Sequence, residues 1–118
     1  MHAPGFRCGE FEIEPGNRRF TERGREIALE PRVFAVIVQL LMRGAGGLIT
    51  RAELLDAVWG HRYVTPSTLN RTITLARRAF GDEAGEPRFI QTVHGAGYRF
   101  LAPVEPLGMN AGAVSRFG

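Results

Sequence analysis

The segment between Thr65 and Gly81 constrains this chain most. At about 100° per residue, Leu69, Ile73, Ala76 and Phe80 fall within about 40° of one another on a helix, so that side must face a core. Directly opposite fall Ser67, Arg71, Thr74 and Arg78. The outward stripe therefore carries two arginines and two hydroxyls and no acid. Thr65 is placed to cap the helix, Pro66 fits its first turn, where a missing N–H costs nothing, and Gly81-Asp82 ends it. The pattern predicts a helix over residues 66–80.

Two shorter helical patterns precede it. Pro31 opens the first, and Phe34, Ile37, Val38 and Leu41 follow at i, i+3, i+4 and i+7. Gly44-Ala45-Gly46-Gly47 ends it, giving a helix over about 31–43. Thr50-Arg51-Ala52-Glu53 has the form of a capping box, in which each side chain bonds the other's backbone N–H. Leu54, Leu55, Val58 and Trp59 give this second helix an apolar face and Gly60 stops it. Trp59 closes that face and reads as core. His61 to Pro66 is a connecting loop.

Outside the helices the period changes to two. Phe11 and Ile13 alternate with Glu12 and Glu14, a half-buried strand. Glu14-Pro15-Gly16-Asn17 turns the chain, residues 18–21 return, residues 22–25 turn again, and residues 26–29 form a third strand. After the third helix, residues 88–93 and 98–102 read as a β-hairpin around His94-Gly95-Ala96-Gly97, with Tyr98 and Phe100 on one side. The resulting division is a disordered N-terminus at 1–5, a domain at 6–104, and a linker or disordered tail at 105–118. The fold class is α+β.

The net charge of +3 says little until it is mapped. Residues 1–30 hold six Glu and five Arg. From Ala57 to Gly81 there is no acid, and Arg62, Arg71, Arg77 and Arg78 are present; from Pro87 to Val104 there is again no acid, with Arg88 and Arg99. Two sequence-distant segments are purely basic, which suggests an anionic partner for one face. The plain alternative is a surface whose charges pair across elements.

Several function classes lack their residues. His2, Cys8, His61 and His94 have no metal-ligand spacing. Gly95-Ala96-Gly97 lacks the third glycine and following helix of a nucleotide-binding fingerprint. No Ser/His/Asp set follows a recognisable arrangement. The chain is therefore read as a non-enzyme without metal or cofactor. One cysteine excludes an internal disulfide framework and fits a reducing compartment. No apolar run approaches the ~20 residues of a membrane helix, and residues 1–9 lack a secretory pattern, so a cytoplasmic location is expected.

Two helices, a short connection, a third helix with a basic outer stripe and then a hairpin is the order of a winged helix-turn-helix. Residues 11–104, about four fifths of the chain, resemble the OmpR/PhoB-type effector domain. The matching stretches are Leu29-Glu30-Pro31, Ile49-Thr50-Arg51-Ala52-Glu53-Leu54-Leu55, Val58-Trp59-Gly60, and the run from Gln91 to Phe100, in collinear order. Leu29-Glu30-Pro31-Arg32 is similar to the CadC/ToxR-type branch.

The resemblance implies a four-stranded N-terminal sheet, three helices and a C-terminal hairpin wing, with double-stranded DNA as partner and transcriptional regulation as function. It implies a recognition helix over 67–80 in the major groove, with Arg71, Thr74 and Leu75 at base-facing positions and Ser67 and Asn70 nearby. Arg77 and Arg78 would lie toward phosphates, and the wing over 88–103 would reach the minor groove through Thr92 and His94. The loop over 60–66 would touch RNA polymerase. His94 and Leu75 depart from the family pattern, standing where many members carry a basic residue. A typical member also carries a receiver domain ahead of the winged helix, whereas Met1 lies just before this fold. The expectation is an N-terminal or stand-alone domain, in the first case the cytoplasmic part of a longer, membrane-anchored regulator. It is expected to be monomeric in solution and to pair on DNA. The competing reading is a winged helix that binds an acidic protein partner.

Overall fold

A computed structural model describes residues 5–60, 63–83 and 85–107. The chain divides into two compact units, residues 29–102 and the segments flanking them.

The flanking unit is an antiparallel sheet of five strands, β1 (Gly5–Cys8), β2 (Phe11–Glu14), β3 (Arg19–Glu22), β4 (Arg25–Glu26) and β8 (Glu105–Leu107). Their order across the sheet is β4-β3-β2-β1-β8. The alternation seen in the sequence holds: Phe11 and Ile13 are buried and Glu12 and Glu14 only half so. Phe20 pairs with Ile13 across β2–β3, and Phe6 pairs with Ile13 on the other side, which fixes the register. The turn after β2 is a single 3-10 turn, Pro15–Asn17, and Arg18 closes it in the left-handed region. The ion pair Arg7–Glu12 across β1–β2 (2.7 Å) and the pair Arg23–Glu10 between two turns (2.6 Å) are exposed and contribute little.

This sheet corrects the sequence reading in three places. It has five strands where four were expected. The fifth is Glu105–Leu107, which the composition assigned to a linker or tail, and it pairs with Gly5–Arg7 of β1. Three residues that include Pro106 carry no periodicity, and a proline is tolerated there because β8 is an edge strand. Gly5 belongs to β1 and not to a loose end. Residues 1–4 and 108–118 of the expected termini lie outside the described residues.

The second unit holds α1 (Pro31–Arg43), β5 (Leu48–Thr50), α2 (Arg51–Trp59), α3 (Pro66–Phe80), β6 (Ile90–Val93) and β7 (Gly97–Phe100). The helix limits follow the caps read from the sequence. In the capping box, Thr50 Oγ1 accepts from Glu53 N at 3.0 Å and Glu53 Oε1 accepts from Thr50 N at 2.9 Å. That backbone hydrogen bond, with Arg43 alongside, holds the Glu53 carboxyl below the usual carboxylate range. Thr65 caps α3 by accepting from Thr68 N. Gly81 closes it in the left-handed conformation, with Gly81 N donating to Arg78 O and Asp82 N to Arg77 O.

The buried side of α1 is rotated from the expected one. Val33, Val36, Ile37, Leu40 and Leu41 are buried, whereas Phe34 and Val38 are half-buried. Apolar residues surround most of α1, so periodicity alone did not select the face that packs on α2 and α3. The core is completed by Ile49, Leu54, Trp59, Leu69, Ile73, Ala76, Phe80, Ile90, Tyr98 and Phe100. Phe80, at the last turn of α3, stacks on Phe89 at 4.9 Å and meets Phe100 edge-on at 5.4 Å, which fixes the hairpin against the helix. The hairpin is part of a three-stranded sheet, β5-β7-β6, since Leu48–Thr50 pairs with Gly97–Arg99. The sequence reading contained no strand at 48–50.

Candidate nucleic-acid interface

The outward side of α3 is built as its periodicity required. Leu69, Thr72, Ile73, Ala76 and Phe80 are buried, and Ser67, Asn70, Arg71, Thr74 and Arg78 are exposed. Leu75 and Arg77 sit between these sides, half-buried. Beside α3 stands the β6–β7 hairpin, with Thr92 and His94 exposed and its turn closed by Ala96 N donating to Val93 O at 2.9 Å. A cleft of about 340 Å³ runs between helix and hairpin, lined among others by Asn70, Thr74, Arg77, Thr92 and His94.

The hydrogen bonds divide the expected site residues into engaged and open groups. Arg77, half-buried, is engaged by the hairpin. Its Nη2 donates to Thr92 Oγ1 at 2.6 Å and its Nε to Ile90 O at 3.2 Å, so it ties α3 to the first strand of the hairpin. The resemblance set Arg77 toward phosphates and Thr92 toward a groove; in the structure the two side chains hold each other. Thr74 Oγ1 donates to Asn70 O at 3.0 Å, which leaves its acceptor capacity and its methyl group for an external partner. Arg78 is exposed, and no described residue forms an ion pair or hydrogen bond with its side chain.

Arg71 is different again. Its Nη1 and Nη2 donate to the two carboxylate oxygens of Glu30, at 3.3 and 3.0 Å. The hydrogen bonds and the charge of Glu30 raise the Arg71 pKa further. The stripe is free of acids along α3 itself, yet an acid from the residue preceding α1 meets it. Nothing local in the sequence announced this contact, because the partners lie 41 residues apart.

Two further residues shape the site and were missed. Asp82, just past the C-terminus of α3, accepts from the backbone N–H groups of Arg88 (2.7 Å), Phe89 (3.0 Å) and Ile90 (2.8 Å). One carboxylate thus fixes the start of β6 relative to the end of α3. Arg51, in the first turn of α2, donates to Tyr98 Oη at 2.9 Å, and both residues line the cleft. An aspartate two residues beyond a helix reads as a stop signal, and only the folded chain shows what it gathers.

Charge follows the same division. Residues 29–102 hold nine arginines against six carboxylates, so the net +3 resides in this unit. No group of three or more His, Cys, Asp or Glu suited to a metal is present among the described residues, and no described helix is long and apolar enough to cross a membrane.

Three helices with a hairpin laid beside the third define a winged helix-turn-helix domain. The family model for the C-terminal domain of transcriptional regulatory proteins matches residues 24–100. The chain belongs to that family. The transcriptional activator CadC of Escherichia coli strain K12 is 31% identical over 105 residues, which cover 88% of this chain and 20% of CadC. The solved CadC DNA-binding domain superposes with a TM-score of 0.74 at 29% identity, covering 89% of this chain and 98% of that one. The phosphate regulon transcriptional regulatory protein PhoB of Rhizobium meliloti strain 1021 is 38% identical over 94 residues, 79% of this chain and 40% of PhoB. The Klebsiella pneumoniae RstA DNA-binding domain, solved in complex with the RstA box, has a TM-score of 0.73 at 30% identity and covers 82% of this chain and 96% of that one. The chain thus spans between a fifth and two fifths of the length of these curated relatives.

Proposed function

We propose that this chain is the sequence-specific DNA-binding domain of a bacterial transcriptional regulator, working in the cytoplasm. The observation that carries the reading is the exposed polar and basic side of α3 set beside a hairpin, on the unit that holds the net positive charge. A helix fits the major groove of B-DNA, and a side of Ser, Asn, Arg and Thr matches what base edges and phosphates offer there. The complex of the RstA domain with its box supports the same use of this fold.

In this reading Arg71 and Thr74 face base edges, Thr74 through its methyl and its free acceptor. Ser67, Asn70 and Leu75 border them, and Arg78 meets the phosphate backbone. His94 carries the hairpin tip toward the adjacent minor groove. Arg77 and Thr92 act together as the brace that sets the distance between groove-reading helix and wing. The loop over 60–66 contacts RNA polymerase. Tyr63, 87% exposed in that loop, offers a large side chain for such a contact, while His61 and Arg62 lie outside the described residues. The domain is monomeric in solution and pairs on DNA.

Selection of bound duplexes from a random pool tests this directly. One preferred sequence should emerge, and Arg71→Ala should reduce discrimination at one base pair roughly tenfold or more. Failure of any duplex to bind at low salt, together with tight binding of an acidic protein, would overturn the reading.

A further inference from the structure

Glu30 occupies the position before the first turn of α1, where side-chain oxygens commonly cap the helix, yet its carboxylate makes no cap bond. Both oxygens are given to Arg71 instead. The bond pattern matters. A guanidinium carries five N–H groups in a rigid plane and can present either its end, through Nη1 and Nη2, or its side, through Nε and Nη2. Glu30 takes the end. The side, Nε–H and the second Nη2–H, has no acceptor among the described residues, and those two parallel donors match O6 and N7 of a guanine. An arginine on an exposed helix face otherwise samples many rotamers, and ordering it on binding costs entropy. The α1–α3 packing fixes the backbone positions of the two residues, while the paired side chains stay exposed to solvent.

We propose that Glu30 is a positioning residue for Arg71: it grips the end of the guanidinium, leaves the side edge open for a guanine, and thereby sets base discrimination. This rests on the reading of Arg71 as a base-facing residue. A second consequence follows from charge. A carboxylate beside the groove repels phosphates whatever the sequence, so Glu30 weakens binding to unselected DNA while sharpening the choice among bases.

The test uses the 118-residue chain and five duplexes at one salt concentration. They are the sequence selected from a random pool, its three single-base variants at the position that Arg71 reads, and a scrambled control. Glu30→Ala removes grip and charge, and since Glu30 makes no cap bond the start of α1 is little altered. It should raise affinity for the scrambled duplex and cut the preference for the selected base about fivefold or more. Glu30→Asp keeps the charge but is one methylene short. It should lose the preference without gaining affinity for scrambled DNA, a split that a purely electrostatic role would not produce. If Glu30→Ala strengthens all five duplexes by one factor, Glu30 only repels phosphates, or blocks Arg71 until DNA arrives, and the proposal fails. Arg71→Ala separates the two levels. Uniform weakening across the base variants refutes base reading itself, whereas lost preference in Arg71→Ala with preference intact in both Glu30 variants refutes the positioning role alone.

Discussion

At Gly97 the backbone of β7 passes so close to β5 that a side chain has nowhere to go. A Cβ there would collide with the Ile49 carbonyl oxygen and lie 2.8 Å from Thr50 Cα. All of these atoms are backbone in a paired ladder, so none moves cheaply. Gly97→Ala should destabilise the domain by about 2–3 kcal/mol, read as a lower denaturation midpoint with unchanged slope. Cys8 makes a different residue-scale prediction. Burial in β1 pushes its thiol well above the ordinary range of a free cysteine, up to about 12. Above pH 9 the unfolded chain releases a proton that the folded chain keeps. Stability should therefore fall as pH rises from about 9 toward 12, by at most about 1.4 kcal/mol per pH unit from this group. The chain contains no lysine, so few other groups titrate there. Denaturation midpoints at pH 7–10.5 should show this alkaline loss, and Cys8→Ala, though less stable at neutral pH, should show a shallower one.

Among the elements, the joint between α3 and the hairpin decides whether a helix and a wing can address one duplex together. It is held from two ends, by Arg77 on Thr92 and Ile90 and by Asp82 on the first amides of the returning chain. Asp82→Ala leaves the part-buried N–H groups of Phe89 and Ile90 without their acceptor. A cost of about 2–3 kcal/mol is expected, together with faster amide hydrogen exchange confined to β6 and the turn before it. Unchanged exchange in β6 would show that the aromatic contacts of Phe80 suffice. The same joint shows where the sequence was legible. Helix limits were, because Pro31, the Thr50–Glu53 box, Thr65-Pro66 and Gly81 act on their own neighbours. So was the outward face of α3, whose polar and apolar residues separate cleanly. The strands β5 and β8 were not, since three residues become a strand only by pairing with Gly97–Arg99 or Gly5–Arg7, far along the chain. Glu30 escaped for the same reason, and so did the inward commitment of Arg77. A residue's type can be read locally, but whether its hydrogen bonds are spent inside the protein is decided by what the fold brings beside it.

Across the whole molecule, charge separates into a neutral flanking unit and a basic one, and this predicts how binding should answer to salt. The flanking segments hold six arginines and six glutamates, and Arg7 and Arg23 are paired with Glu12 and Glu10. In residues 29–102 the excess is positive, and Arg78 stands exposed on the outward side of α3 without an ionic partner among the described residues. Each phosphate neutralised on a duplex releases condensed counterions, giving a slope of about −0.9 in log affinity against log salt. Arg78→Ala should therefore flatten the salt dependence by about one unit and weaken every duplex alike, leaving the order of preference among sequences unchanged. Arg71→Ala should do the reverse, altering the order more than the slope, because Glu30 already compensates its charge. Arg23→Ala is the control: its guanidinium is engaged by Glu10, and neither slope nor order should move. Titrations of the selected and scrambled duplexes between low and moderate salt distinguish the three. A slope lowered equally by Arg23→Ala and Arg78→Ala would mean that DNA senses only total charge, and the assignment of the contact surface to α3 would have to be given up.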